Sequence, residues 1–264
     1  MSLVANDAIL VLGGTGELGS EIIKDLVAAG KRVTALARRT SSRELLEDLD
    51  ISYAVGDMLI EADMKRVFTD TLYGIVIDAS SGPYRDMANA SHELLGAQTF
   101  YEESQKIISK WAAETGVQHL ILHSTVGAGD SADLVNVENV FEVQRLALAS
   151  KNIAEKILVS SGVPYTIIRH LTVLPLTYKE SGKALLSKDR NKAGAITRDG
   201  LARLTLECLA NKGCINKIFH AIDDEVELPD EIIDIWRQAL KPEYMPDYVG
   251  TYGSSASTKP GKTS

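Results

Sequence analysis

Four glycines lie close together near the start of the chain, in the stretch VLGGTGELGS at residues 11–20. Gly13, Gly16 and Gly19 recur at intervals of three, after an apolar run and at the beginning of a helical pattern. Glycine lets a phosphate approach the main chain closely. The free N–H groups at a helix start also favour an anion. The loop therefore predicts either a phosphate-binding site or a tight turn that needs small residues.

The surrounding pattern decides between these alternatives. An apolar strand at 8–14 precedes the loop, a helix runs from residue 17 to Gly30, and a second strand follows at 32–38. This order is the context of the dinucleotide-binding fingerprint, so we expect a dinucleotide there. The sequence lacks the G-K-[ST] element of a P-loop, which disfavours a P-loop NTPase.

Two arginines stand where the second strand ends, in LARRTSS at 36–42. A carboxylate at this place would bind the ribose 2′-hydroxyl of NAD. Arg38 and Arg39 instead suit a 2′-phosphate, which arginine binds through paired, charge-assisted hydrogen bonds. The alternative is a pair of solvated surface arginines. The sequence thus predicts NADP(H) as the preferred cofactor, with NAD(H) possible.

Strands and helices alternate along most of the chain. Strands are predicted at 8–14, 32–38, 52–57, 74–80, 119–125, 164–170 and 217–222. Helices are predicted from 17 to 30 and at 41–50, 59–69, 93–114, 134–160, 197–212 and 228–241. Such alternation predicts an α/β fold, a Rossmann-type doubly wound parallel sheet with its ligands at one edge.

The regular alternation of strands and helices becomes less clear after residue 170. We therefore divide the chain into a dinucleotide-binding Rossmann core at 1–170 and a small C-terminal α/β lobe at 171–249. The lobe is expected to cover the substrate and not to fold independently. Residues 250–264 are rich in Gly, Ser, Thr and Lys and are predicted to form a disordered tail.

The net charge and the cysteine count limit the classes of molecule that the protein is expected to bind. The net charge of −8 over 264 residues disfavours nucleic acid and membrane surfaces, which are polyanionic. Two cysteines are too few for a disulfide framework, and no signal peptide or long apolar segment is evident. No His/Cys cluster suggests a metal site. We expect a cytoplasmic monomer or homodimer that binds a small-molecule substrate.

Several stretches within residues 8–222 together carry a family resemblance. They are GGTGELG, ARR, VGDM, VIDASSG, HLILHSTVGAG, SKNIAEKILVSSGVPYTIIRH and ITRDGLARLTLECL. With them the chain resembles atypical short-chain dehydrogenases/reductases of the NmrA-like group, which includes isoflavone-reductase-like and biliverdin-reductase-B-like proteins.

The resemblance implies a set of cofactor-binding residues from the pyrophosphate to the nicotinamide. The glycine loop would line the pyrophosphate through Gly13, Gly14, Thr15, Gly16, Glu17, Leu18 and Gly19. Arg38 and Arg39 would bind the 2′-phosphate, Asp57 and Met58 would flank the adenine, and Ala79, Ser80 and Ser81 would lie along the ribose and nicotinamide. Alternatively, Asp57 is a strand-end cap or turn residue, and the two serines are turn residues.

The expected catalytic helix departs from the family pattern. Typical members use Ser, Tyr and Lys, with the tyrosine four residues before the lysine. Here Ser124 and Lys151 are present as catalytic and cofactor-binding candidates, but Ala147 replaces the tyrosine. Lys151 could anchor the ribose or act as the general acid/base itself. Alternatively, it is a surface lysine paired with Glu155, one helical turn away.

Other residues could donate a proton, but their positions in the sequence single them out less clearly. His170 ends a strand at the ligand edge and could donate to a substrate oxygen, although a packed strand-end histidine is an alternative. His123 lies inside a strand and is expected to be a core residue. Four further residues lie in segments that could cover a substrate, and their spacing singles out none: Tyr84, His92, Tyr101 and Tyr178.

These features predict an NADP(H)-dependent oxidoreductase that acts on a small organic carbonyl, enone or alcohol without the usual tyrosine. Two alternatives stay open. One is a non-catalytic NmrA-like redox sensor that binds NAD(P) and reports to a protein partner. The other is an isomerase or dehydratase on the same fold.

Overall fold

An eight-stranded sheet forms the centre of the protein in the computed structural model, which describes residues 7–82 and 90–246, with the backbone alone for 90–98. Its strands are β1 Ile9–Leu12, β2 Val33–Ala37, β3 Ser52–Val55, β4 Ile75–Asp78, β5 His119–Thr125, β6 Tyr165–His170, β8 Leu185–Ser187 and β10 Lys217–Ile222. They lie in the order β3-β2-β1-β4-β5-β6-β10-β8 and are parallel except for β8. The Rossmann-type prediction is confirmed.

Six α-helices are present among the described residues. They are α1 Glu17–Ala28, α2 Glu61–Asp70, α3 Ala90–Thr115, α4 Glu142–Ser160, α5 Arg198–Ala210 and α6 Asp230–Ala239. Alternate strand residues pack on opposite faces: Ile9 and Val11 join a cluster with α1 and α5, whereas Leu10 joins one with α2, α3 and α4. Both faces of the sheet are therefore buried, as expected of a parallel sheet.

Two predicted helices are wrong in extent. The segment 41–50 forms only a 3-10 turn at Glu44–Leu46, because it buries little besides Leu46 and a short helix needs tertiary packing. The helix predicted at 134–160 begins only at Glu142. Before it, Leu134 ends a 3-10 turn, Val135 forms an isolated β-bridge with Leu240, and residues 137–140 form a turn and bends.

The segment after residue 170 shares the central sheet and its core. It supplies β8 and β10 to the main sheet, and α5 packs against α1. The strands β7 Thr172–Leu174 and β9 Ala195–Thr197 form a separate parallel pair. The boundary at residue 170 stays a prediction, and the predicted tail at 250–264 lies outside the described residues. No helix in the described ranges has the length and apolar character needed to cross a membrane.

Candidate functional site

The glycine loop joins β1 to α1 and presses against the end of β4. Gly13 adopts φ +69°, and a Cβ there would lie 2.7 Å from the Ser80 Cα atom. The Gly13 carbonyl accepts the Gly16 N–H at 3.0 Å, and a Cβ on Gly19 would collide with the same carbonyl. Glycine is therefore required where the loop contacts β4 and where α1 closes onto the loop.

The other side of the loop is open. A Cβ on Gly16 would meet only the Gly13 carbonyl, at 3.3 Å. Gly16 is also the N-cap of α1, and no capping hydrogen bond from its side chain is possible there, since glycine has none. An anion can approach such a helix start. Of the other predicted pyrophosphate residues, Thr15 and Leu18 are half-buried and Gly14 is buried.

Arg198 reaches the same loop from α5. Its Nη2 lies 2.5 Å from Glu17 Oε2, and its guanidinium also donates to the Leu174 carbonyl. A carboxylate beside a pyrophosphate would repel it, and Arg198 offsets that charge. Sequence reasoning missed Arg198, because it is far from the loop in the chain and no spacing signals the contact.

Arg38 and Arg39 are exposed immediately beyond the end of β2. Within the described ranges, no carboxylate lies within 4.0 Å of either guanidinium. Ser41 Oγ accepts the Arg38 N–H at 3.1 Å, which shapes the turn after β2. The two charges are thus available to an anionic ligand at the edge of the sheet where β1 and β2 end.

Asp57 follows β3 and forms a turn. Its Oδ1 accepts the Leu59 N–H at 3.0 Å, while its own N–H donates to Asp63 Oδ2 at 3.0 Å. This is the turn role considered from the sequence. Met58 packs partly buried against the core cluster. The predicted positions of Asp57 and Met58 beside an adenine stay predictions.

The loop after β4 begins at a buried carboxylate. Asp78 Oδ1 accepts the Ser80 N–H at 3.0 Å. Burial is the largest influence on Asp78 and raises its pKa, and the hydrogen bonds from Ser80 and the charge of Lys151 act in the opposite direction. Ala79 and Ser80 are half-buried, and Ser81 is exposed. Their contacts with a ribose or nicotinamide stay predictions.

Lys151 points from α4 toward α3. Its Nζ lies 4.5 Å from the centroid of the Tyr101 ring. The sequence-based alternative, an ion pair with Glu155, is wrong, because Glu155 pairs with Arg169 through an Nη2–Oε2 contact of 2.7 Å. Lys151 is thus placed beside Tyr101 and close enough to Asp78 to influence its carboxyl group.

Ser124 is almost fully buried at 1% exposure. Its Oγ donates to Glu155 Oε1 at 2.5 Å, and Arg169 Nε donates to the same oxygen at 3.0 Å. The Ser124 hydroxyl therefore directs its proton at the Glu155 carboxylate. The catalytic and cofactor-binding roles assigned to Ser124 stay predictions.

Two histidine rings lie near each other at the carboxyl ends of β5 and β6, where His123 is two residues before the end of β5 and His170 ends β6. The ring centroids of His123 and His170 are 6.3 Å apart. Burial lowers the pKa of His123 to about 3, with a further contribution from Lys151. Burial is also the first cause that lowers the pKa of His170 well below its usual range, followed by Lys151, His123 and Arg198. Both rings are therefore neutral near pH 7.

Among the described residues, His123 forms a hydrogen bond through one of its two ring nitrogens. Its Nε2 faces Thr205 Oγ1 at 3.1 Å, and since that hydroxyl donates to the Leu201 carbonyl, it accepts from His123. In the described structure His123 Nδ1 is buried without a hydrogen-bond partner. The expectation that His123 is buried in the core agrees with its 4% exposure.

The glycine loop, the arginine pair and the lysine lie along the edge formed by the carboxyl ends of the strands, which is where parallel α/β sheets bind ligands. The helix start and the exposed arginine pair suit the pyrophosphate and the 2′-phosphate of a dinucleotide. A family model described as NAD(P)H-binding matches residues 13–212. The chain belongs to the NAD(P)H-binding family.

Individual relatives agree with this family. Isoflavone reductase from Pisum sativum is 23% identical over 256 residues, covering 90% of this chain and 77% of that protein. The bifunctional pinoresinol-lariciresinol reductase 2 of Linum usitatissimum is 24% identical over 256 residues, covering 89% and 72%. The resemblance to NmrA-like reductases is confirmed, and these relatives support the expected oxidoreductase class.

Solved structures show the same fold. The anaerobillin reductase ChuY from Escherichia coli O157:H7 superposes with a TM-score of 0.66 at 18% identity, covering 84% of this chain and all of that one. A short-chain dehydrogenase/reductase from Veillonella parvula in complex with NADP gives a TM-score of 0.64 at 12% identity, with coverages of 84% and 97%.

Proposed function

We propose that this protein is an NADP(H)-dependent reductase or dehydrogenase of a small organic carbonyl, enone or alcohol, working without a tyrosine at position 147. The observation that carries the proposal is the position of Lys151. It lies over Tyr101, whose hydroxyl is bonded to the loop after β4, and the glycine loop packs on that same loop. A lysine at this place can bind and orient the cofactor, which is the protein's part in hydride transfer.

Different residues of the chain bind different parts of the cofactor. The open face of Gly16 and the start of α1 hold the pyrophosphate, with Arg198 balancing Glu17. Arg38 and Arg39 hold the 2′-phosphate. Lys151 anchors the ribose and orients the reacting end, where the bound cofactor supplies hydride. The segment 171–246 shapes the space for the substrate.

The cofactor preference is tested by Arg38→Ala. A charge-assisted hydrogen bond contributes on the order of 1.5–3 kcal/mol, so we expect the affinity for NADPH to fall about tenfold or more. NADH lacks the 2′-phosphate, and its affinity should change little. Fluorescence titration of both cofactors measures the difference.

Arg32→Ala is the matched control, because Arg32 is an exposed arginine at the opposite end of β2, paired with Asp7. It should leave both affinities unchanged. Equal losses for NADPH and NADH in the Arg38 variant would contradict the assignment of the 2′-phosphate site.

The activity is tested by mixing the purified protein and NADPH with carbonyl compounds, enones, quinones and flavins, and following NADPH absorbance. Oxidation that depends on both protein and substrate is the expected result. Tight binding of NADP⁺ without turnover of any compound would refute the enzyme proposal and favour the redox sensor.

A further inference from the structure

We propose that Arg198, at the start of α5, binds the pyrophosphate of the dinucleotide directly, in addition to offsetting the charge of Glu17. The proposal rests on the dinucleotide site of the proposed function and does not depend on catalysis. The main-chain amides at the start of α1 and a guanidinium from a distant helix would then hold the same anion.

The first support is the position of the guanidinium. Its Nη2 lies 2.5 Å from Oε2 of Glu17, the residue that follows the N-cap Gly16 of α1. The guanidinium also donates to the carbonyl of Leu174, the last residue of β7. Its charge is among the causes that lower the pKa of His170, which ends β6. Arg198 is therefore close to both the start of α1 and the carboxyl end of β6, where a parallel sheet binds its ligand.

The second support is the set of hydrogen-bond donors that remain on Arg198. A guanidinium has five N–H donors and no acceptor, in a planar fork that matches phosphate oxygens. The contacts with Leu174 and Glu17 account for two of these donors, and no other hydrogen bond of this guanidinium is found among the described residues. The Arg198 side chain is 18% exposed, so a ligand can reach the remaining donors.

The third support is the local charge. Glu17 lies in the first turn of α1, where its carboxylate would repel a pyrophosphate that approaches the helix amides. In the part of the chain that the structure describes, Arg198 is the cation that pairs with Glu17. Glu17 in turn holds the guanidinium beside the loop before the anion arrives, which reduces the side-chain entropy lost on binding.

The test is a double-mutant cycle of Arg198→Met and Glu17→Gln, in which calorimetry measures the dissociation constant of NADP⁺. A hydrogen bond to a charged group corresponds to an affinity difference of about tenfold or more, so Arg198→Met should weaken NADP⁺ binding by that factor. We expect the same loss in the Glu17→Gln background, because the pyrophosphate contact does not need the carboxylate. A residue that only offsets Glu17 would lose nothing once the carboxylate is gone, and this result would overturn the proposal.

Arg203→Met is the matched control, because Arg203 also lies on α5 and pairs with carboxylates, those of Glu180 and Glu207. It should leave the dissociation constant of NADP⁺ unchanged. Adenosine 2′-monophosphate, which has the 2′-phosphate but no pyrophosphate, should bind equally to the wild-type protein and to Arg198→Met. Equal losses for this ligand and NADP⁺ would contradict a contact with the pyrophosphate.

Phosphorus NMR of bound NADP⁺ shows which phosphate senses the side chain. Arg198→Lys keeps a positive charge beside Glu17 but removes the planar fork, so it tests the contact where the methionine variant fails to fold. The pyrophosphate signals should differ between the wild-type protein and Arg198→Lys, whereas the 2′-phosphate signal should stay in place. Pyrophosphate signals that match those of the wild-type protein would overturn the proposal.

The outcomes separate this proposal from the reductase function. A protein that binds NADP⁺ through Arg198 but reduces no compound would overturn the reductase function and support the role of Arg198. An active enzyme whose Arg198→Met variant binds NADP⁺ with the wild-type dissociation constant would overturn the role of Arg198 alone.

Discussion

Burial sets the protonation of single residues at the carboxyl edge of the sheet. It raises the pKa of Asp78 and lowers the pKa of His123 and His170, because a low-dielectric surrounding disfavours the charged form of each group. Lys151 lowers the pKa of all three groups through its charge. The histidines therefore enter any reaction as neutral rings.

This predicts a pH dependence of folding to which His123 contributes. The pKa is 6.5 for an ordinary histidine and about 3 in the folded protein, so between these values only the unfolded chain takes up the proton. The contribution of His123 to the free energy of unfolding is fully present above pH 6.5. It is lost as the pH falls from 6.5 toward 3, by about 1.4 kcal/mol per pH unit. His123→Asn should flatten the slope of unfolding free energy against pH in this window.

Urea unfolding of both proteins at several pH values measures the two slopes. The asparagine variant is expected to be less stable at neutral pH, because it replaces a packed ring. An unchanged slope in the variant would show that His123 is not the group that takes up the proton.

At the scale of elements, a buried ion pair joins β6 to α4 beside the site. Arg169 is 1% exposed and bonds both oxygens of Glu155, while its Nη1 lies 2.5 Å from Asp130 Oδ1. Gly129, with φ +58°, lies against this guanidinium, and a Cβ there would overlap Arg169 Nη2. The pair therefore holds the connection between β5 and α4 in place, and α4 carries Lys151.

The two carboxylates of this network should differ in their importance. Removing one partner of a buried ion pair costs about 3–5 kcal/mol, so Glu155→Gln should strongly destabilise the fold. The Asp130 side chain is 62% exposed, and Asp130→Asn should cost about 1 kcal/mol or less. Urea unfolding at neutral pH compares the variants, and equal losses would contradict the assignment of Glu155 as the principal partner.

At the scale of the whole molecule, the C-terminal segment completes the sheet that binds the cofactor. β10 pairs with the edge of β6, and α5 covers the face on which α1 packs. Arg198, at the start of α5, contacts Glu17 of the glycine loop. The loop is thus in contact with a residue that is far from it in the chain.

A chain that ends at residue 170 should therefore lack a cooperative unfolding transition. It would leave β6 as an unpaired edge and expose the apolar residues that α5 buries, such as Ile22 and Ile168. Circular dichroism during urea titration measures this, and a chain ending at 246, which keeps every described element, is the control. Cooperative unfolding of residues 1–170 would show an independent domain.

The sequence alone determined the features that depend on neighbouring residues. The spacing of Gly13, Gly16 and Gly19 after an apolar strand predicts the loop, and the alternation of strands and helices predicts the parallel sheet. Both follow from backbone geometry and from the periodicity of buried side chains, which a short window contains. The arginine pair at the end of β2 is equally local. The local pattern was insufficient at 41–50, which buries few residues, and at 134–141, where Val135 bridges to the distant Leu240.

Only the tertiary structure decided the contacts between distant parts of the chain. It brings Lys151 to Tyr101, Arg198 to Glu17, and Glu155 to Arg169 in place of Lys151. No periodicity records these contacts, because each depends on how two separate helices or strands pack together. The sequence thus identifies the cofactor loop, whereas the arrangement of groups that could move a proton exists only once α3, α4 and the strands β4 to β6 are assembled.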